Sequence, residues 1–183
     1  WDLSEKAIGQ ILESSAHYSS VHLQGWGESL LRPDCSSLVK RFKNAGVMVS
    51  LSSNGTIMST GLARDLIASG LDSMAFSLAG ASARQNDALR GLGSFQQCLE
   101  SIRVFDAERR SSEVPVGINY LLTPENMADL PKMIRLAGVL NVDYLVCTNM
   151  VHICTDSQHN MALYRTGKKS RLKIIFRNAQ ALF

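Results

Sequence analysis

A carboxylate set among glycines is the most chemically suggestive feature of this chain. Glu28 closes the run Leu23-Gln24-Gly25-Trp26-Gly27-Glu28, directly after a short β-rich stretch. Glycine at 25 and 27 lets backbone approach a ligand closely, and a carboxylate at the C-terminal end of a strand sits where α/β folds keep their chemistry. The same theme recurs along the chain. Ser53 and Asn54 stand in Ser52-Ser53-Asn54-Gly55 after a second β-rich run, and Ser77 ends a third before Gly80. Hydroxyls, an amide and a carboxylate on one rim supply the hydrogen bonds that hold a polar small molecule. Arg90, in Ala88-Leu89-Arg90-Gly91, adds a guanidinium able to fork onto a ligand carboxylate. Gly, Ser and Asn also dominate ordinary turns, so it is the set on a common rim that points to binding.

Other metal-capable and phosphate-capable residues do not form sites. Cys147, His152, Cys154 and His159 fall in a short window but match no standard ligand spacing, and Cys147 reads as a small core residue after the last apolar strand. Thr166-Gly167-Lys168-Lys169-Ser170 lacks the leading glycine and the preceding strand of a phosphate loop.

The elements that must position these residues alternate between β-rich runs and helical patterns, the signature of βα units on a parallel sheet. The runs are Val21–Gln24, Val47–Leu51, Ser73–Leu78, Pro115–Leu122 and Asp143–Val146, the first three starting about 26 residues apart. Between them, Asp34 is the expected N-cap of a helix that ends at Gly46, and a second helix runs from Thr60 to Gly70. Ser94 with Gln97 forms a capping box for a third, leaving Arg90 in a polar connection, and a fourth runs from Asn126 to Gly138. Leu3, Ala7, Ile8, Ile11 and Leu12 make an amphipathic helix with no strand ahead of it. The expected fold is α/β, a partial (β/α)6 TIM-like barrel of parallel strands with its first strand missing. Residues 1–155 form this truncated core, and residues 156–183 a linker and C-terminal helix stub.

Composition fits a single domain: 183 residues, 45% hydrophobic, formal net charge +3. So small a charge calls for neither nucleic acid nor an anionic membrane, and no apolar run is long enough to span a bilayer. Four separated cysteines without a signal peptide indicate reduced thiols and a cytoplasmic location, and make the Asn54-Gly55-Thr56 sequon incidental.

Taken together, residues 23–31, 52–56, 70–80 and 88–91 resemble the radical S-adenosylmethionine enzymes, most closely the SPASM group that continues into a second cluster-bearing region. The resemblance covers residues 1–150 in order. It implies that Gly25, Gly27 and Glu28 bind the methionyl ammonium, that Ser53 and Asn54 contact the ribose or nearby atoms, and that Ser77 and Arg90 hold the methionyl carboxylate. It implies S-adenosylmethionine and a [4Fe-4S] cluster as cofactors, and reductive cleavage to a 5′-deoxyadenosyl radical that abstracts hydrogen from a substrate, in many relatives a peptide. Two departures stand out. The family's CxxxCxxC cluster motif is absent from the sequence, and Ser29 replaces the proline that usually follows the glutamate. The chain by itself is therefore expected to be an inactive fragment of a radical S-adenosylmethionine enzyme. The alternative is a non-catalytic, degenerate barrel module that binds S-adenosylmethionine or a peptide.

Overall fold

The computed structural model describes residues 3–149. The expected tail at 156–183, the boundary at 155, and His152, Cys154 and His159 lie outside the described residues. The elements run α1 (Glu5–Glu13), β1 (Ser20–Leu23), α2 (Cys35–Asn44), β2 (Met48–Ser53), α3 (Thr60–Ala68) and β3 (Ser73–Leu78). They continue with α4 (Ala83–Arg90), α5 (Ser94–Arg109), β4 (Val116–Leu122), α6 (Leu130–Val139) and β5 (Tyr144–Asn149).

All five strands are parallel and lie in chain order, β1-β2-β3-β4-β5. Crossovers between parallel strands are right-handed, so an order without reversal sends every connecting helix to the same side. The sheet curls into a half-barrel, helices outside, as expected of a partial TIM-like barrel. Alternation along each strand then divides the side chains between two faces. The convex face carries Val49, Leu51, Met74, Phe76, Val116 and Ile118, all fully buried against the helices. Facing them are Val39 and Phe42 of α2, Leu66 of α3, Ile102 and Phe105 of α5 and Met133 of α6. The Phe76 and Phe105 rings meet edge to face, centroids 6.2 Å apart.

A repeated turn closes the N-terminal end of the sheet. After α3 comes Gly70-Leu71-Asp72, and after α6 comes Asn141-Val142-Asp143; Gly70 (φ 87°) and Asn141 (φ 55°) both take the left-handed conformation that terminates a helix. In each copy the apolar residue's N–H returns to the helix, Leu71 to the Leu66 carbonyl and Val142 to that of Ala137. The aspartate then stitches two strands and a helix. Asp72 accepts from Val49 N at 2.6 Å and from Lys43 Nζ of α2 at 2.7 Å. Asp143 accepts from Val116 N at 2.6 Å and from Arg109 Nη1 of α5 at 2.6 Å. Gly46-Val47-Met48 repeats the same turn without the carboxylate.

Three local expectations are corrected. Asp34 occupies the N-cap position of α2 but caps nothing; its carboxylate is taken by Arg32 at 2.6 Å. Ser94 is the first residue of α5, not its cap. Asp87 performs that role from outside the helix, accepting from Gly93 N and Phe95 N at 2.8 Å each. Arg90 belongs to a helix, α4, rather than a polar connection. That helix escapes the apolar pattern because its one buried residue is polar: Asn86 is fully buried, its Oδ1 accepting from Ala79 N and its Nδ2 donating to Ser94 Oγ.

Candidate functional site

The loops that follow β1, β2 and β3 gather at the C-terminal rim of the sheet, and the sequence-predicted residues hold them together. Glu28 spends both carboxylate oxygens on backbone: Oε1 accepts from Leu30 N at 3.1 Å and Oε2 from Asn54 N at 2.6 Å. The first contact caps the short 3₁₀ turn Ser29–Leu31, and the second ties the β1 loop to the β2 loop. Asn54 Oδ1 accepts from Thr56 N and Thr56 Oγ1, an Asx turn. Ser53 faces the helical layer, only 2% exposed, and its Oγ accepts from Gly55 N at 3.0 Å.

Gly55 and Gly80 have packing reasons for being glycine. A Cβ on Gly55 (φ 74°) would fall 2.8 Å from Cys98 Sγ and 2.9 Å from Cys98 Cα. One on Gly80 would lie 2.6 Å from Asn86 N, where the β3 loop passes over α4. Gly25 and Gly27 differ: a Cβ at either meets nothing within 4 Å. The space above them is open, and Trp26 between them is 88% exposed.

A cleft of about 510 Å³ opens on the concave face, within the range of small-molecule sites, roughly 300–1,000 Å³. Of the sequence-predicted residues, Ser77 and Arg90 line it. Gly25, Gly27, Glu28, Ser53 and Asn54 do not; they build the rim beside it. Arg90 ends α4 and, among the described residues, makes no hydrogen bond or ion pair. Cys98 lies close enough to the rim for its thiol to sense both Glu28 and Arg90: burial pushes it up to about 12, Glu28 adds to the rise and Arg90 opposes it. Arg90 shares the cleft with Gln24, which precedes the segment 25–28 of the β1 loop.

Sequence reasoning missed the rest of the cleft, which is lined by His22, Gln24, Ser50, Asn119 and Tyr144 among others. The signal was the polar residue at alternate positions of each strand, His22 and Gln24 in one, Ser50 and Ser52 in the next. It also missed Asn126, a buried clamp whose Nδ2 donates to the carbonyls of Ala79 and Leu121 and whose Oδ1 accepts from Thr123 N.

The described residues do not form a metal centre: among them no three His, Cys, Asp or Glu side chains gather as a ligand set. Burial raises the thiols of Cys35, to about 11, and of Cys147. By contrast, the unpaired Arg90, the open space over Gly25 and Gly27 and the rim carboxylate fit a zwitterionic small molecule.

A curled parallel sheet with a polar cleft along its concave face defines a partial barrel of the TIM-like type, a fold whose ligands ordinarily bind at the C-terminal ends of the strands. Residues 1–137 match the model of the Radical SAM superfamily, and the chain belongs to that superfamily. It is 32% identical over 115 residues to an AdoMet-dependent heme synthase of Methanosarcina barkeri, a match covering 62% of this chain and 32% of the relative. It is 34% identical over 138 residues to the mycofactocin maturase MftC of Mycobacterium tuberculosis, covering 75% of this chain and 34% of the relative. The chain thus spans about a third of the length of these curated relatives. The structure of Streptococcus suis SuiB bound to S-adenosylmethionine superimposes with a TM-score of 0.76 at 13% identity, covering 100% of this chain and 42% of SuiB. Relatives of the SPASM type are among these neighbours. No helix of the described residues is long and apolar enough to cross a membrane.

Proposed function

We infer that this chain is the S-adenosylmethionine-binding portion of a radical S-adenosylmethionine protein, with the cofactor held at the rim described above. The observation that carries this reading is Arg90, a guanidinium without a partner among the described residues, lining the cleft together with Ser77 and with Gln24, which precedes the glycine-glutamate segment. Arg90 and Ser77 would hold the methionyl carboxylate, and Glu28, which keeps unused lone pairs after accepting two backbone N–H groups, the methionyl ammonium. Gly25 and Gly27 leave room for the cofactor backbone, while Asn54 and Ser53 fix the loop beside the ribose.

When bound and reduced, S-adenosylmethionine supplies the radical with which relatives abstract hydrogen from a substrate. The [4Fe-4S] cluster that drives this in relatives does not fit the described residues, among which no three His, Cys, Asp or Glu side chains gather as a ligand set. A peptide substrate is supported by the similarity to a maturase and by the structural likeness to SuiB, also known bound to the precursor peptide SuiA.

Calorimetric titration of the chain with S-adenosylmethionine tests the site. Arg90→Ala is expected to weaken binding at least about tenfold, the size of one hydrogen bond to a charged group. Glu28→Gln, which keeps an acceptor for the loop but removes the charge, is expected to do the same. Equal heats for the wild type and both variants would refute the assignment.

A further inference from the structure

Barrel interiors are ordinarily packed by branched apolar side chains in layers. Here the convex face of β2, β3 and β4 is largely apolar and buried, whereas the concave face carries, beside Ala75, Leu121 and Val146, an imidazole, hydroxyls and amides around open space. Packing does not call for these residues, so their arrangement bears on what the cleft receives.

His22 is the hub. Its Nδ1 lies 2.7 Å from Ser50 Oγ, and its Nε2 lies 2.9 Å from Ser52 Oγ and 3.0 Å from Gln24 Oε1. Asn119 Nδ2 donates to Ser52 Oγ at 2.9 Å. Gln24 Oε1 can only accept, so the proton is assigned to Nε2, and Ser50 then donates to Nδ1 at 2.7 Å in preference to its longer, 3.4 Å contact with the Val21 carbonyl. Ser52 then accepts twice, from His22 and from Asn119, and its own hydroxyl hydrogen has no acceptor among the described residues. At 8% exposure Ser52 is a nearly buried donor, and such donors find a partner. Tyr144 closes the floor: its ring lies over Gly117, leaving no room there for a Cβ, and its hydroxyl is 2.7 Å from Ser73 Oγ. Among the described residues, the formal charge lining the cleft is that of Arg90, and none of those lining it is a carboxylate.

We propose that Ser52, His22 and Asn119 form a substrate subsite on the concave face, beneath the rim, that receives a carboxylate of the substrate through the Ser52 hydroxyl. The proposal rests on the reading that S-adenosylmethionine occupies the rim, and it excludes a substrate presenting an ammonium to this face, which would meet no counter-charge among the described residues.

The test uses the chain with ¹⁵N-labelled histidine, following the His22 ring signals by NMR during titration with succinate and, separately, with 1,4-diaminobutane at matched ionic strength. Succinate is expected to shift the His22 signals and the diamine to leave them unchanged. Ser52→Ala is expected to weaken the succinate response at least about tenfold, and Asn119→Ala to weaken it as well, while both keep wild-type affinity for S-adenosylmethionine. No succinate response, an equal response to the diamine, or an undiminished response in both variants would overturn the proposal. So would displacement of succinate by saturating S-adenosylmethionine, since the two would then share one site. Failure of the rim reading shows instead as unchanged S-adenosylmethionine binding in Arg90→Ala, a separate measurement.

Discussion

The repeated aspartate turn makes a quantitative prediction about what holds the sheet together. In Asp143→Ala the N–H of Val116, a fully buried residue, loses its 2.6 Å acceptor. An orphaned buried donor costs about 1–3 kcal/mol. The ion pair adds little, about 0.2–1 kcal/mol, because the Asp143 side chain is 44% exposed and Arg109 keeps Asp106 and two carbonyls. The expected loss is about 2–3 kcal/mol, or roughly 5–10 °C in Tm for a chain of this size. Asp143→Asn retains an oxygen for Val116 N and forfeits only the charge, so it should lose under about 1 kcal/mol. Asp72→Ala should match Asp143→Ala, since Val49 is equally buried and Lys43 is the only cation lost. The two sites share no partners, so the double variant should be additive within about 0.5 kcal/mol. Urea unfolding followed by circular dichroism measures all four. An Ala variant within about 0.5 kcal/mol of wild type, or an Asn variant as damaged as Ala, would refute the view that the buried N–H, not the ion pair, carries the stitch.

Two further outcomes are expected. Gly25→Ala and Gly27→Ala meet no protein atom, so thermal melting should change by no more than about 1 °C per variant while S-adenosylmethionine affinity falls, and unchanged affinity would show that the open space is not the cofactor's. Asp87, held below the ordinary carboxylate range chiefly by its hydrogen bond from Phe95 N and then by that from Gly93 N, stabilises the fold above its unfolded-state pKa. That contribution is lost as pH falls through the lower folded-state value, so the Tm advantage of wild type over Asp87→Asn should be full near neutrality and shrink in acid below about pH 4. A constant advantage across that range would contradict it.

What could be read from the sequence was whatever is carried by apolar periodicity. β3 lies at Ser73–Leu78 as expected, β1 shifts by one residue, β4 starts one residue late, α2 and α3 fall inside their forecast spans, and α6 starts after its forecast Asn126 and ends one residue past Gly138. The features missed are those in which a polar group does the work of an apolar one. α4 packs through Asn86, the start of α5 is capped by Asp87 from the preceding helix, and the β3 loop is clamped by Asn126. These bonds join residues brought together by the fold, and local pattern carries no trace of them. The rim residues were visible because glycine, glutamate and asparagine cluster after strands. The cleft was not, because polar residues at alternate strand positions read as weak strands rather than as one face of a curved sheet.

That division of faces has a consequence for how the molecule works. Each strand turns apolar residues to the convex core and residues that are mostly polar to the concave cleft, so stability and recognition are written in alternate residues of the same five segments. The convex residues cannot be truncated without a cavity: Phe105→Ala removes an edge-to-face partner of Phe76 from a fully buried site, a class of change costing about 3–5 kcal/mol. The cleft-lining residues His22, Ser50 and Asn119 border open space, so truncating them leaves no cavity in the apolar core. A face so insulated from the core is free to vary its hydroxyls, amides and imidazole without unfolding the barrel. Ligand preference can therefore change at His22, Ser50, Ser52 and Asn119 while the rim and the aspartate stitches remain intact.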